Sequence, residues 1–244
     1  MGKFTAYYDE YDLTVDLDTN TITILERWKY NWLIHNKEAK DTYGDWTYLE
    51  KKDFHSQADK YIWGNWSYKY ETVSKIIKES SMNRNSLIGR EFHNRKFKIV
   101  FDIQWVTSNQ HWTANIYKTQ FDEDFRSYVS MGYRTINLKF TDLSTNYFES
   151  INSNQNTFSH EYGHTLGCED EYEEKYIGNN QEEIDRYNCY YITEGIFEER
   201  YRYECDYDSL MNVGNSLRNR FLYEIDKRLD KLFKGDITFD TYLK

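Results

Sequence analysis

The residues best suited to chemistry form one short run, His160-Glu161-Tyr162-Gly163-His164. Residues four apart lie on the same face of a helix, so His160 and His164 can offer two imidazole nitrogens to a single ion. Two neutral imidazoles suit Zn²⁺, which lowers the pKa of a bound water towards neutrality. Glu161 follows the first histidine, where its carboxylate can reach that water. The run therefore predicts a hydrolytic zinc site with Glu161 as the base.

The residues after this run provide a helix end and candidates for a third ligand. Gly167 can adopt a left-handed backbone conformation and so end the helix. Asp170 follows three residues later and reaches the metal from outside the helix. Glu171 competes with it, but neighbouring residues of an extended segment point to opposite sides, so only one of the two can face the ion. Glu182 or Glu183, about one further helix away, is the remaining alternative.

The full spacing, His-Glu-x-x-His-x-x-Gly-x-x-ligand, resembles the zinc motif of the metzincin clan of metalloproteases. That clan also has a methionine-containing turn beneath the metal, and Ser209-Leu210-Met211 follows in the right order. The resemblance covers residues 95–235 in layout, but in residue identity only the motif and the turn. An aspartate replaces the commoner third histidine, as in the snapalysin-type variant. The resemblance implies a zinc endopeptidase with His160, His164 and Asp170 as ligands, Glu161 as base and Met211 as an apolar floor.

The same resemblance implies an α+β fold in which a twisted mixed sheet packs on the active-site helix. Four strands are expected before that helix, at Phe97–Val106, Trp112–Tyr117, Phe125–Met131 and Thr135–Phe140. A C-terminal helix is expected over Ser216–Phe233, after the Met211 turn. In that clan the substrate adds as a strand along a sheet edge, and the strand order makes Phe125–Tyr133 that edge.

We expect one domain, with residues 1–90 as an N-terminal part and residues 91–244 as the catalytic core. The N-terminal part should contain a β-hairpin and a helix. The expected elements are strands Thr14–Asp18 and Thr21–Leu25, a helix over Asp45–Tyr70 with Asp45 as N-cap, and an active-site helix from Ser153, as N-cap, to Leu166.

Charge and segment composition narrow the classes of partner. The 244-residue chain has a net charge of −10, which argues against a nucleic-acid partner. Its apolar runs are too short to span a membrane, and its first ten residues lack the apolar region of a signal peptide. The protease that the resemblance implies would then act on a protein or peptide where it is made, after export by a signal-independent route as a toxin or effector, or as a mature form whose signal has been removed.

Other functions are compatible with parts of the sequence. A zinc protein without catalysis would need no base, so Glu161 argues against it, and structural zinc normally has four protein ligands. Most of the 7 tryptophans precede residue 67, which fits a carbohydrate- or protein-binding face, although large aromatic residues most often pack in the core.

The acidic stretch 169–208 has the oxygen-rich chemistry of a Ca²⁺ site. Cys189 and Cys205 could form a disulfide. Val213 stands where some metzincins have an oxyanion-stabilising tyrosine, which leaves Tyr172, Tyr203 and Tyr207 as candidates.

Overall fold

The computed structural model describes residues 2–77, 91–119, 125–144, 146–148, 153–171, 206, 208–234 and 236–244. The strands in this part of the chain are β1 Lys3–Tyr7, β2 Asp12–Asp16, β3 Thr21–Ile34, β4 Tyr70–Ile76, β5 Lys96–Trp105, β6 Trp112–Lys118, β7 Tyr128–Ser130, β8 Thr135–Lys139, β9 Asn146–Phe148, β10 Ser153–Gln155 and β11 Ile237–Leu243. The α-helices are α1 Lys37–Tyr43, α2 Tyr48–Asn65, α3 Thr157–Thr165 and α4 Tyr223–Leu232, and a 3₁₀ turn covers Asn219–Leu222.

A nine-stranded mixed sheet organises the fold, in the order β11-β4-β5-β3-β6-β8-β7, with β2 pairing on β3 and β1 on β2. Strands β5, β3, β6 and β8 are parallel, whereas β11, β4 and β7 run antiparallel to their neighbours. The long strand β3 pairs with β5 along Thr21–Trp28 and with β6 along Trp28–Ile34. A strand from the first 90 residues therefore lies between two strands of the later part, and both parts share one sheet. The class is α+β, as expected.

The apolar core lies between one face of this sheet and helices α2 and α3. Strand β3 alternates between buried and partly exposed residues, and its buried Trp28 is 1% exposed. The rings of Phe158 and Tyr162, both from α3, lie 6.0 and 6.4 Å from the Trp28 ring. Helix α2 adds Phe54, Ala58 and Ile62, whose four-residue spacing places them on one helix face. This packing holds α3 against the centre of the sheet.

Most tryptophans serve this core. Trp28, Trp66 and Trp112 are at most 1% exposed, and a second group packs against the core while partly exposed: Trp32, Trp46 and Trp105. Trp63 is 49% exposed. Packing therefore accounts for six of the 7 tryptophans, which weakens the sequence argument for an aromatic binding face.

The end of the sheet formed by β11 is closed by side chains. The outward N–H of Phe239 donates to Asp230, that of Thr241 donates to Asp226, and that of Leu243 donates to Asn219. Unpaired N–H groups on an edge strand invite pairing with another chain, and these carboxylate and amide oxygens occupy them. The sequence did not predict this strand.

Two helices begin later than the sequence predicted. Helix α2 has Thr47, not Asp45, as its N-cap, because Thr47 and Glu50 form a reciprocal capping box. Helix α3 has Asn156, not Ser153, as its N-cap, because the Asn156 side chain accepts the N–H of Ser159. Ser153 lies in strand β10 instead. Both errors arise because several residues of capping type precede each helix.

The C-terminal segment is also less helical than expected. The predicted helix over Ser216–Phe233 is α-helical only in α4, after the 3₁₀ turn Asn219–Leu222. Its expected apolar residues Phe221, Ile225 and Leu229 are nevertheless buried. No helix in the described ranges is long and apolar enough to cross a membrane.

Replacing Asp226 by Asn should reduce the pH dependence of stability. Burial raises the pKa of Asp226 from 3.8 to about 7. Between these values the folded state keeps a proton that the unfolded state has released, so stability is lost as pH rises, by at most about 1.4 kcal/mol per pH unit. The asparagine oxygen can still accept the Thr241 N–H. The variant should therefore be more stable than wild type at pH 8, with the advantage shrinking towards pH 4.

Urea unfolding at several pH values measures this difference. Asp45→Asn is the control, because the Asp45 side chain is 76% exposed. A wild-type pH slope in Asp226→Asn would show that this carboxyl does not titrate with a raised pKa.

Candidate metal centre

Helix α3 carries both histidines and ends directly after the second one. The N–H of Gly167 donates to His164 O at 2.9 Å, and that of Cys168 donates to Gly163 O at 3.1 Å. These two bonds form a Schellman motif, in which Gly167 has a φ of 93°. A glycine is favoured there because side chains disfavour this left-handed conformation. The turn sends the chain back past the histidines, as the sequence predicted.

The side chains of His160, His164 and Asp170 converge. Asp170 Oδ1 lies 3.1 Å from His160 Nε2 and 3.3 Å from His164 Nε2. Two ligands about 2.0–2.1 Å from a tetrahedral zinc are roughly 3.3–3.4 Å apart, so this spacing fits the ion. Burial alone would raise the pKa of Asp170. The two histidines outweigh burial and lower this pKa well below its ordinary value, which favours the charged carboxylate. Two nitrogens and one oxygen are a common donor set for catalytic zinc.

Backbone carbonyls orient both imidazoles. His160 Nδ1 lies 2.7 Å from Leu210 O, and His164 Nδ1 lies 2.8 Å from Cys168 O. A carbonyl oxygen only accepts hydrogen bonds, so each Nδ1 carries a hydrogen and donates it. The Nε2 atom of each ring then faces Asp170, and it is the nitrogen with which either histidine would bind a metal. Such supporting bonds typically fix the orientation of metal-binding histidines.

Glu161 lies beside these ligands with part of its carboxylate unpaired. The residue is 5% exposed, and its Oε2 atom has no hydrogen-bond partner among the described residues. Burial raises the pKa of Glu161, while His160 and His164 partly oppose the rise. A buried polar atom without a partner is costly, and a water or ion bound beside Glu161 would supply one. This carboxylate is therefore in the state expected of a base that takes a proton from a bound water.

The turn at Met211 supports the ligand helix. Met211 is fully buried, and a Cβ added to Gly163 would lie 2.4 Å from its sulfur. The helix can approach the turn this closely only because residue 163 is a glycine. Leu210, the neighbour of Met211, provides the carbonyl that orients His160. Met211 therefore packs directly against the helix that carries both histidines.

Two further side chains, which the sequence analysis missed, tie this turn to the start of α3. Gln155 Nε2 donates to Asn212 O at 2.6 Å and to Leu210 O at 3.2 Å. Asn215 Oδ1 accepts the N–H of Asn156, the N-cap of α3, at 2.7 Å. Neither residue belongs to a recognisable sequence motif, so the sequence alone did not predict these hydrogen bonds.

A buried acid anchors the other side of α3. Glu26 is fully buried on β3, where it accepts bonds from Thr165 Oγ1 at 2.6 Å and from Trp28 Nε1 at 2.7 Å. Burial raises the pKa of Glu26 to about 8. Thr165 follows His164, so this bond ties the histidine end of the helix to the sheet. The alternating pattern of β3 predicts only that Glu26 faces inward.

The competing ligands are placed differently. Glu171 points away from the histidines and pairs with Arg220, as alternation along an extended segment predicts. The alternative ligands Glu182 and Glu183 lie outside the described residues. So do the tyrosine candidates Tyr172, Tyr203 and Tyr207, the Cys189–Cys205 pairing and most of the acidic stretch considered for Ca²⁺.

The remaining four histidines belong to no candidate metal cluster among the described residues. Within the described ranges, His160, His164 and Asp170 are the one group of three or more His, Cys, Asp or Glu residues that could hold a metal. His111 is buried in a cluster with Asp12 and Arg27, which explains its position by packing and charge.

The edge strand β7 lies next to helix α3, which carries both histidines. It is the last strand in the sheet order, with β8 behind it, as the sequence predicted for Phe125–Tyr133. Helix α3 contacts β7 directly. Tyr128 on the strand is 52% exposed, and Tyr133 in the following turn is 86% exposed. An extended peptide beside β7 would therefore run past the ligand helix.

No protein-family model, curated protein or solved structure matches this chain. The convergence of His160, His164 and Asp170, the bonds that orient the two imidazoles and the buried carboxylate of Glu161 are therefore the observations that bear on its function.

Replacing Gly163 by Ala should damage both stability and metal binding. The new methyl group would overlap the Met211 sulfur, and overpacking of this kind typically costs about 1–3 kcal/mol. Any shift of the helix would also separate the two histidines from Asp170. Chemical unfolding and zinc titration measure the two effects.

Gly64→Ala is the matched control, because Gly64 also lies in a helix but has open space around its Cα. Alanine there should leave zinc binding unchanged and add roughly 0–1 kcal/mol of stability. Equal behaviour of the two variants would contradict the close packing of Met211 on α3.

Proposed function

We propose that this chain is a zinc-dependent endopeptidase that resembles the metzincins. The observation that carries the proposal is the placement of a buried carboxylate, Glu161, beside a set of three ligands. A structural zinc site normally has four protein ligands and needs no base. Three ligands leave a position for water, and Glu161 has an oxygen without a partner among the described residues.

The fold supports the same family resemblance. All strands of the mixed sheet except β11 precede the ligand helix, the chain reverses at Gly167, and a buried methionine turn packs against the helix. Helix α4 follows this turn. The aspartate in place of a third histidine is the main departure. A carboxylate gives the site one negative charge, so the bound water should be less acidic than with three histidines, and the base correspondingly more important.

The residues divide the work of hydrolysis among themselves. His160, His164 and Asp170 would hold Zn²⁺, which lowers the pKa of water and polarises a carbonyl when bound. Glu161 takes the proton of the attacking water onto its carboxylate and transfers it to the leaving amine. The Nδ1 bonds to Leu210 O and Cys168 O keep both imidazoles in place throughout.

The substrate would bind as an added strand. Edge strand β7 can form main-chain hydrogen bonds with an extended peptide, which gives affinity without demanding one sequence. The contact between α3 and β7 would bring the scissile bond to Glu161. Exposed Tyr128 lies on the same strand and would contact substrate side chains. Proteins and peptides with an accessible extended segment are therefore the proposed substrates.

Purified protein should bind about one zinc per chain, because three ligands converge on one point. His160→Ala, His164→Ala and Asp170→Ala should each lose most of this affinity. His93→Ala should retain it, because His93 is exposed and lies apart from the cluster. Elemental analysis after reconstitution and competition with a chelator measure both quantities. Wild-type affinity in Asp170→Ala would move the third ligand elsewhere.

Glu161→Gln should abolish peptide cleavage and keep zinc. Glutamine preserves the shape of the side chain but cannot accept the proton, and loss of a positioned base typically slows catalysis by about a hundred- to ten-thousand-fold. Mapping of new protein N-termini after incubation with a proteome compares this variant with wild type and reveals the substrates at once. Near-normal cleavage by Glu161→Gln would rule out its role, and zinc binding without cleavage by wild type would favour a non-catalytic zinc protein.

A further inference from the structure

The segment that presents Asp170 is held by the next residue, Glu171. The Glu171 N–H donates to Met211 O at 2.9 Å, and Asn212 Nδ2 reaches Glu171 O at 3.4 Å. The backbone of this segment therefore lies against the same turn that supports α3. On its other side, the segment begins at the Schellman motif of Gly167. Asp170 is bracketed between these two fixed points.

The side chain of Glu171 is held more strongly than its backbone. Arg220 donates to both carboxylate oxygens, from Nε at 2.6 Å and from Nη2 at 2.7 Å. Ser209 Oγ, from the start of the Met211 turn, donates to the second oxygen. Glu171 is only 8% exposed, so these charge-assisted bonds form away from bulk water. Two arginine donors in a planar fork define the direction of the carboxylate.

Arg220, the positively charged partner of Glu171, is itself held by Asp206. Arg220 Nη2 also donates to Asp206 at 2.7 Å, and Asp206 accepts two further bonds from Arg218. The guanidinium of Arg220 thus lies between two carboxylates and cannot easily follow Glu171 if that residue moves. The cluster Glu171, Arg220, Asp206 and Arg218, here called the acid–arginine network, links the ligand segment to the 3₁₀ turn before α4.

We propose that Glu171 is a positioning residue that, through Arg220 and Ser209, holds Asp170 towards the two histidines. Successive side chains of an extended segment point to opposite sides. With Glu171 fixed on the network side, Asp170 must face His160 and His164. Without this restraint, the segment would have to find the metal-binding orientation anew each time an ion binds, which weakens affinity.

The inference rests on the proposed zinc centre and is tested on the full chain with metal alone. Zinc affinity, by chelator competition, and the visible spectrum of the Co²⁺ form are measured for wild type, Glu171→Gln, Arg220→Gln and the double variant. Each single variant should bind zinc about 10–100-fold more weakly and shift the Co²⁺ spectrum. The double variant should lose little more, because both changes remove one shared interaction. Wild-type affinity and spectrum in Glu171→Gln, or losses that multiply in the double variant, would overturn the proposal.

Two further variants separate positioning from general destabilisation. Glu10→Gln breaks another partly buried arginine pair, with Arg228 at 2.9 Å, and should lower stability without altering zinc affinity or the Co²⁺ spectrum. Glu171→Asp keeps the charge but is one methylene shorter, so it should also weaken zinc by drawing the backbone of Asp170 away from the histidines. Equal loss of affinity in Glu10→Gln would contradict positioning, as would wild-type affinity in Glu171→Asp.

Failure of this inference is distinguishable from failure of the proposed function. Wild type that binds no zinc would reject the metal centre itself. Wild type that binds zinc, with unchanged affinity in both Glu171 variants, would reject only the role of Glu171.

Discussion

The close approach of Met211 to the backbone of α3 at Gly163 holds the helix that carries two of the three proposed metal ligands. The methionine sulfur occupies the space that any side chain at residue 163 would need. The same turn orients His160 through Leu210 O and holds the Asp170 segment through Met211 O. The turn therefore contacts both the helix that carries His160 and His164 and the segment that carries Asp170. A displacement of this turn would change the orientation of His160 and the position of Asp170 together.

Buried carboxyl groups surround this arrangement. Burial raises the pKa of Glu26 to about 8 and that of Asp142 to about 6, and Asp142 contributes to the raised pKa of Glu161. Ordering so many acids near one helix is unfavourable unless each has hydrogen-bond donors or a cation nearby. Thr165 and Trp28 donate hydrogen bonds to the Glu26 carboxyl group. Ser127 and the backbone N–H of Lys139 donate to that of Asp142. A divalent cation between the histidines and Asp170 would supply the remaining positive charge next to Glu161.

How much of this could be inferred from the sequence depends on the range of each interaction. The His160–His164 spacing, the turn at Gly167 and the opposite directions of Asp170 and Glu171 follow from local geometry, and all appear in the structure. The alternation that predicted the four strands before α3 is equally local. By contrast, Gln155, Asn215 and Arg220 form hydrogen bonds with residues 49–59 positions away in the sequence. The residues around them do not indicate these partners. The N-caps Thr47 and Asn156 were missed because competing polar residues lie within three positions of each.

X-ray absorption at the zinc edge of the reconstituted protein tests the central claim most directly, because it reports the ligand atoms themselves. The account predicts a four-coordinate shell of nitrogen and oxygen at about 2.0–2.1 Å, with multiple scattering from two imidazoles and no sulfur. A sulfur shell near 2.3 Å would place a cysteine on the metal instead of Asp170. Scattering from fewer than two imidazoles would contradict the pairing of His160 and His164 on which the whole centre is built.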